Sequence, residues 1–168
     1  MVYENIVLIG FMGSGKTSVG KNLARQLHKD FVDVDTVIEG EQKASINEIF
    51  DTKGESYFRA LEQVCINTLT KKKGQIIATG GGLPIYSTIP ESCLIVYIDA
   101  DFEVILERLT DRERAKRPLL QDESRAKALF EERVDTYKAL ATYRVDANQR
   151  IPVFIHLIRD FILDRRVL

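Results

Sequence analysis

The chain has 168 residues, of which 45% are hydrophobic and 29% are charged, and its formal net charge is -1. This length suits one domain with one core, so we expect residues 1–168 to form a single domain. The near balance of 24 basic and 25 acidic residues excludes a general attraction to nucleic acid or to an anionic membrane surface, and we expect neither as a partner.

The sequence shows no targeting or membrane-spanning segment. Its first apolar run, from Ile6 to Ile9, is too short for a signal peptide, and no stretch reaches the roughly 20 apolar residues that cross a bilayer. The two cysteines, Cys65 and Cys93, lack the spacing of metal or redox motifs and are typical of buried, reduced thiols. We therefore expect a cytoplasmic protein.

Predicted strands and helices alternate along the chain. We predict strands over residues 3–9, 31–35, 75–79, 93–98 and 144–147, and helices over residues 16–28, 45–54, 55–72, 101–110, 124–142 and from 152 onward. This order predicts an α/β fold, with a doubly wound parallel sheet of about five strands between two helical layers. In such a fold, ligands bind at the carboxyl ends of the strands.

A glycine-rich segment follows the first predicted strand. Residues 10–17 read GFMGSGKT, which matches G-x-x-x-x-G-K-[ST] in full, and they lie between a predicted strand and a predicted helix. In such a P-loop the backbone N–H groups and the helix N-terminus bind phosphates. The Lys16 ammonium reaches the β- and γ-phosphates, and the Thr17 hydroxyl ligates Mg²⁺. The segment therefore predicts a nucleotide site, although it leaves the reaction open.

An aspartate pair and a triple glycine lie at the ends of two further predicted strands. Asp33 and Asp35 end the strand over 31–35, and strand alternation would place both on one side. One carboxylate could organise a metal ion and its waters, while the other could accept a proton from an attacking hydroxyl or only orient it. The glycines at 80–82 cost backbone entropy, which indicates close approach of the backbone to a ligand.

With these residues in view, the sequence resembles the shikimate kinases from Ile6 to the last predicted helix. The matching segments are GFMGSGKT, D-V-D-x-x-I-E from Asp33, SINEIF from Ser45, G-E-x-x-F-R ending in Arg59, TGGG from Thr79, RPLL from Arg117, and ER-x-x-x-Y from Glu132. The resemblance implies a P-loop fold like that of nucleoside-monophosphate kinases. It also implies ATP-dependent phosphorylation of the 3-hydroxyl of shikimate, a step of aromatic amino-acid biosynthesis, with ATP and Mg²⁺ required.

The resemblance also implies roles for individual residues. The nucleotide phosphates are assigned to Gly13, Ser14, Gly15, Lys16, Thr17 and Ser18, and Mg²⁺ is assigned to Thr17 and Asp33. Shikimate is assigned to Asp35, Arg59, Arg133, Gly80, Gly81 and Gly82, with the arginines on its carboxylate, Asp35 on its hydroxyls and helices over about 35–62 around it. Catalysis is assigned to Lys16, Asp33, Asp35 and Arg117, and Arg150 is placed beside adenine.

A charged segment over residues 111–123 is expected to form a mobile lid. It carries Arg112, Arg114 and Arg117, which suit a flap that closes over a polyanion. The resemblance makes Arg117 the residue that swings over the phosphates. A second arginine should pack on adenine, and the spacing leaves Arg108 and Arg112 both open. We also expect the protein to act as a monomer.

Several other classes share the phosphate loop. A gluconate kinase is the nearest alternative, but Arg59, Arg133 and the aspartate pair favour a cyclic hydroxy acid. An adenylate-type kinase would carry a Gly-Lys-Gly-Thr ending, and a switch GTPase would carry N-K-x-D, and the sequence contains neither. A non-catalytic nucleotide-binding module would be expected to have lost Lys16, Asp35 or Arg117, all of which are present.

Overall fold

The computed structural model describes residues 3–115 and 117–164. Within this part of the chain, the strands form one parallel sheet of five, in the order β2-β3-β1-β4-β5. The strands are β1 (Asn5–Ile9), β2 (Asp30–Asp33), β3 (Gln75–Ala78), β4 (Cys93–Asp99) and β5 (Tyr143–Asp146). The prediction of an α/β fold with a parallel sheet of about five strands is confirmed.

Helices connect the strands. They are α1 (Lys16–Leu27), α2 (Val34–Gln42), α3 (Ile46–Lys53), α4 (Glu55–Leu69), α5 (Leu83–Tyr86), α6 (Phe102–Arg108), α7 (Asp111–Ala115), α8 (Glu123–Leu140) and α9 (Ile151–Asp164), with a 3₁₀ turn at Pro118–Gln121. A capping box begins α3, because the Ser45 and Glu48 side chains each accept from the other residue's backbone N–H. Gly54, at φ 83°, separates α3 from α4 as predicted.

Helices cover both faces of the sheet. Helix α1 lies on the face that carries Leu8, because a Cβ at Gly20 would stand 3.2 Å from that side chain. Leu8 pairs with Val96 in β4, and the next residue, Tyr97, points to the other face. There the Tyr97 ring packs on Tyr137 of α8, with 5.4 Å between centroids. The two layers of helices bury β1 completely.

The structure corrects the prediction for residues 31–35. Strand β2 ends at Asp33, whose side chain caps α2 by accepting a hydrogen bond of 3.3 Å from the Thr36 N–H. Asp35 therefore lies in the first turn of α2, and the prediction that both aspartates lie on one side of a strand is wrong. The helix start turns Asp35 away from the line of the strand.

Other predicted segments also differ in detail. The expected loop over 111–123 contains α7 and the 3₁₀ turn. On α9, Phe154, Ile158 and Ile162 are buried, whereas Leu157 is 41% exposed. Both cysteines are buried and free, as predicted. Among the described residues, none of the helices combines the length and apolar character that a membrane span requires.

Candidate functional site

The glycine-rich segment folds as a loop between β1 and α1. Gly13 and Gly15 adopt φ values of 79° and 102°, a left-handed backbone that glycine tolerates best. Helix α1 begins directly afterwards, at Lys16. The N–H groups at its start have no helical acceptors, so they are available to an anion. The loop and the helix N-terminus therefore form a phosphate-binding cradle at the carboxyl end of β1.

The ammonium group of Lys16 lies inside this loop. Its Nζ donates hydrogen bonds of 2.7 and 2.8 Å to the carbonyl oxygens of Gly10 and Phe11. Burial lowers the pKa of Lys16 to about 8, and the nearby Asp35 carboxylate opposes this shift. The loop thus holds a buried cation in the wall of the cleft.

Thr17 and Asp33 place hard oxygen atoms side by side. The Thr17 hydroxyl donates a hydrogen bond of 2.9 Å to Oδ2 of Asp33. The described residues contain no cluster of three or more His, Cys, Asp or Glu side chains that could hold a metal ion by themselves. Mg²⁺ in kinase sites needs no such cluster, because phosphates and waters supply most of its ligands. The pair therefore fits an Mg²⁺ ion that is shared with a nucleotide.

Asp35 carries a shielded carboxyl on the opposite wall. Its Oδ1 atom is buried and accepts no hydrogen bond from the described residues. Burial raises the pKa of Asp35 to about 6, and the neighbouring Asp33 carboxylate adds to the rise while Lys16 opposes it. A carboxylate with this pKa is a better proton acceptor than an exposed aspartate and remains ionised at neutral pH.

Arg59 is held by acids along its own helix. Its Nη1 lies 2.7 Å from Glu62, and its Nε and Nη2 donate hydrogen bonds of 3.2 and 3.0 Å to Glu55. A Cβ at Gly82 would collide with the guanidinium group of Arg59 in its present position. Glycine at position 82 therefore lets the backbone approach this guanidinium group without displacing it.

The sequence interpretation missed Glu62. Its side chain is 1% exposed, and burial raises its pKa to about 6, which Arg59 opposes. The buried face of α4 consists of Phe58, Glu62, Cys65 and Ile66, so an acid occupies a helical position that otherwise holds apolar side chains. An acid at an otherwise apolar position of the helix was the feature of the sequence that could have indicated Glu62, because a buried carboxylate needs a partner.

Arg133 of α8 reaches the same region. It is 6% exposed, its Nε–H donates to no acceptor among the described residues, and its charge lowers the pKa of Glu62. One turn further along α8, the Tyr137 hydroxyl donates a hydrogen bond of 2.6 Å to the Gly81 carbonyl. The structure therefore brings together the predicted arginines and the triple glycine, although they are far apart in the sequence.

The other end of the cleft carries further arginines. Arg108 and Arg117 line it, together with Ile151 at the start of α9. Arg108 Nη2 donates a hydrogen bond of 2.6 Å to the Gln149 carbonyl, and Arg117 Nη1 donates one of 3.2 Å to the Glu113 carbonyl. Arg150 is exposed and lies beside Ile151 in the chain.

The phosphate loop, the two aspartates and part of the triple glycine share one cleft at the carboxyl ends of the strands. The described residues that line it include Gly13, Ser14, Gly15, Lys16, Thr17, Ser18, Asp33, Asp35, Gly80, Gly81, Arg108 and Arg117, whereas Arg112 is an exposed residue of α7. Arg59, Gly82 and Arg133 are not among the described residues that line it. The cleft therefore holds a phosphate cradle, a shielded carboxyl and two guanidinium groups. The fold and this cleft define the class: a P-loop kinase of small molecules.

Comparison with known proteins identifies the family. A family model described as shikimate kinase matches residues 12–162. A shikimate kinase from Helicobacter hepaticus is 45% identical over 146 residues, which cover 86% of this chain and 87% of that relative. The chain belongs to the shikimate kinase family.

Solved structures agree with this assignment. The shikimate kinase from Acinetobacter baumannii, solved in complex with shikimate, is 34% identical with a TM-score of 0.87, and the match covers 99% of this chain and 96% of that one. The shikimate kinase from Aquifex aeolicus is 36% identical with a TM-score of 0.79, over 96% and 98% of the two chains. A gluconokinase from Sinorhizobium meliloti is 13% identical with a TM-score of 0.55 over 98% and 99% of the two chains, which shows a shared fold alone.

Proposed function

We propose that the protein transfers the γ-phosphoryl group of ATP to the 3-hydroxyl of shikimate, giving shikimate 3-phosphate and ADP. One observation carries this proposal: the cleft that contains the phosphate loop around Lys16 also contains the shielded carboxyl of Asp35. Arg59, whose charge lowers the pKa of Asp35, and the buried Arg133 lie next to this cleft rather than among the described residues that line it. The family assignment supports it, as does the Acinetobacter baumannii relative solved in complex with shikimate.

On the nucleotide side, residues 13–18 bind the phosphates of ATP. The Lys16 ammonium neutralises charge on the phosphoryl group that is transferred, and its release from the Gly10 and Phe11 carbonyls frees its donors for phosphate oxygens. Thr17 and Asp33 hold Mg²⁺, directly or through its waters. Bound Mg²⁺ supplies positive charge to the β- and γ-phosphates, which favours transfer.

On the substrate side, Asp35 holds the hydroxyl that attacks, and it accepts or orients the hydroxyl proton. Arg59 and Arg133 bind the carboxylate, because a planar guanidinium group matches the geometry of a carboxylate better than an ammonium group does. The backbone of Gly80, Gly81 and Gly82 forms the wall between them. These roles are supported by the convergence of Asp35 and Glu62 on Gly80, whose Cβ position is 2.9 and 3.3 Å from their oxygens.

Residues 111–123 act as a lid. Arg117 lines the cleft beside Lys16 and lowers the pKa of Lys16, which supports a role at the transferred phosphates. Of the two candidates for packing on adenine, we propose Arg108, because it lines the cleft whereas Arg112 is exposed. Arg150 would then lie at the rim, beside Ile151. Closure excludes water, which would otherwise hydrolyse ATP.

We further propose that residues 1–168 act as one kinase domain and as a monomer in the cytoplasm. The support for the monomer is that one chain supplies every proposed subsite: α1 and α2 carry residues that line the cleft, and α4 and α8 carry Arg59 and Arg133. The protein would then need no second chain to complete its site.

A substrate panel tests the proposal. ADP release is measured with ATP and Mg²⁺ in the presence of shikimate, gluconate, AMP or no acceptor. We expect ADP release that depends on shikimate, and loss of most of it in the Lys16→Ala variant, which controls for a contaminating kinase. Equal turnover of gluconate, or ADP release without any acceptor at the same rate, would refute the assignment.

A further inference from the structure

Tyr86 lies directly beside the Arg59 guanidinium group. Its ring centroid is 4.3 Å from Cζ of Arg59, closer than the rings of Phe58 at 5.4 Å and Phe50 at 5.8 Å. Tyr86 ends the short helix α5 and is 50% exposed. A large aromatic side chain that is half exposed contributes little to the core, so its position on a cation of the substrate site needs another explanation.

Arg59 contacts two acids through its N–H groups and an aromatic ring through its guanidinium carbon. Along its edge, Glu55 and Glu62 accept three hydrogen bonds, from Nε, Nη1 and Nη2. Among the described residues these bonds use three of the five N–H donors of an arginine, so two donors are left for a ligand. The guanidinium carbon, in turn, lies over the Tyr86 ring. The carboxylates fix the direction of the guanidinium group, and the ring limits the space in which it can move.

The glycine loop and Tyr86 approach this group together. Gly82 precedes α5 directly, and because it lacks a Cβ its backbone lies in contact with the Arg59 guanidinium group. Tyr86 follows one helical turn later, and its N–H donates to the Gly82 carbonyl at 3.2 Å. The short helix α5 therefore carries both the loop and the ring to the same cation.

We propose that Tyr86 is a positioning residue of the substrate site, whose ring holds the Arg59 guanidinium group in the position from which it binds the substrate carboxylate. This inference rests on the proposed role of Arg59 in carboxylate binding. A long side chain loses rotamer freedom when it binds a ligand, and prior ordering removes much of that entropic cost. Loss of the ring should therefore weaken substrate binding without changing the phosphoryl-transfer step.

The test compares three variants in steady-state kinetics. Tyr86→Leu removes the ring but keeps an apolar side chain, Tyr86→Phe keeps the ring, and Tyr57→Leu removes another exposed tyrosine of the same region, one that packs on Lys53 at 4.6 Å. We expect Tyr86→Leu to raise KM for shikimate roughly threefold to tenfold, with KM for ATP and kcat little changed. Tyr86→Phe and Tyr57→Leu should resemble the unmodified protein. A normal KM for shikimate in Tyr86→Leu would overturn the inference.

A second pair of variants tests whether Tyr86 acts through Arg59. Arg59→Lys keeps the charge beside Glu62 but loses the planar group, and it should raise KM for shikimate. Adding Tyr86→Leu to Arg59→Lys should then have little further effect, since residues that act as a unit are not additive. An equal effect of Tyr86→Leu in both backgrounds would overturn the inference alone, whereas a normal KM in Arg59→Lys would refute the proposed role of Arg59 itself.

Discussion

Oδ1 of Asp35 lies 2.9 Å from the point at which a Cβ at Gly80 would stand. A side chain at position 80 would therefore collide with the carboxyl or displace it. Because position 80 is a glycine, the Asp35 carboxyl packs against the backbone of the loop. There it is shielded from water, and this burial raises its pKa to about 6. The position of Asp35 thus depends on a residue that lies 45 positions later in the chain.

The Asp35→Asn variant separates proton acceptance from orientation. The amide keeps the shape of the side chain but is a far poorer proton acceptor, so kcat should fall by roughly 100-fold or more if Asp35 is the general base. Asp51→Asn, an exposed change on α3, is the control and should retain full activity. Steady-state kinetics measure kcat and KM for shikimate. A normal kcat with a raised KM for shikimate would assign Asp35 to positioning only.

The same variant should be more stable than the unmodified protein. Burial raises the pKa of Asp35 from 3.8 to about 6, so the native state loses stability as pH rises from 3.8 to about 6, where the carboxyl is ionised in the unfolded chain but still protonated in the native state, and this loss is complete above about 6. Replacing it with a neutral amide should raise the free energy of unfolding by about 1–3 kcal/mol at pH 8, and by less at pH 5. Urea unfolding at both pH values measures this difference. An equal effect at pH 5 and pH 8 would contradict the assignment of the shift to Asp35.

Arg133→Ala should weaken shikimate binding selectively. Removing one partner of a desolvated charge pair costs about 2–5 kcal/mol, which we expect mainly as a raised KM for shikimate, with KM for ATP little changed. Arg125→Ala, two turns earlier on α8 and exposed, is the matched control. If both substrates lost affinity equally, Arg133 would have a general structural role instead.

Thr17→Val should raise the Mg²⁺ concentration that gives half-maximal activity, by about tenfold. Valine keeps the shape of threonine but removes the hydroxyl that bonds to Asp33. Thr17→Ser restores a hydroxyl and should largely restore the Mg²⁺ dependence. A titration curve that does not move in Thr17→Val would argue against ligation by this side chain.

The lid should become ordered when both substrates are bound. Arg114 anchors α7, because its Nη2 donates to the Leu106 carbonyl at 2.6 Å and its Nη1 pairs with Glu123 at 3.2 Å. Amide hydrogen exchange over residues 111–123 should slow when a non-hydrolysable ATP analogue and shikimate are added. The buried amides of β4 serve as the internal control. Equal exchange in the lid with and without ligands would count against closure.

Much of the fold follows from local pattern. The apolar runs of β1 and β4, the glycines of the phosphate loop and the capping box at Ser45 each act within a few residues, so the sequence predicts them directly. The start of α2 could not be predicted in the same way. The segment from Asp33 to Asp35 suits a strand end and a helix N-terminus equally, and only the packing of Val34 and Ile38 in the core decides between them.

The residues of the candidate site also divide into those that the sequence predicts and those that only the fold relates to one another. Lys16 and Thr17 could be placed from the spacing of one loop, whereas Arg59 and Arg133 could be related only through resemblance to known kinases. Glu62 and Tyr86 escaped the sequence interpretation, because neither belongs to a motif and each acquires its role from a neighbour that folding brings close. A buried acid and an exposed aromatic residue become informative once their partners are known.

The order of the strands also bears on how the protein is made. Strand β1, which leads into the phosphate loop, pairs with β3 through Ile6 and Ile76 and with β4 through Ile6 and Leu94. A ribosome adds about 5–20 residues per second, so β1 waits for several seconds before either neighbour exists. During that interval its apolar run is open to chaperones and to other chains. The strand that leads into the phosphate loop is thus synthesised before both of the strands that pair with it.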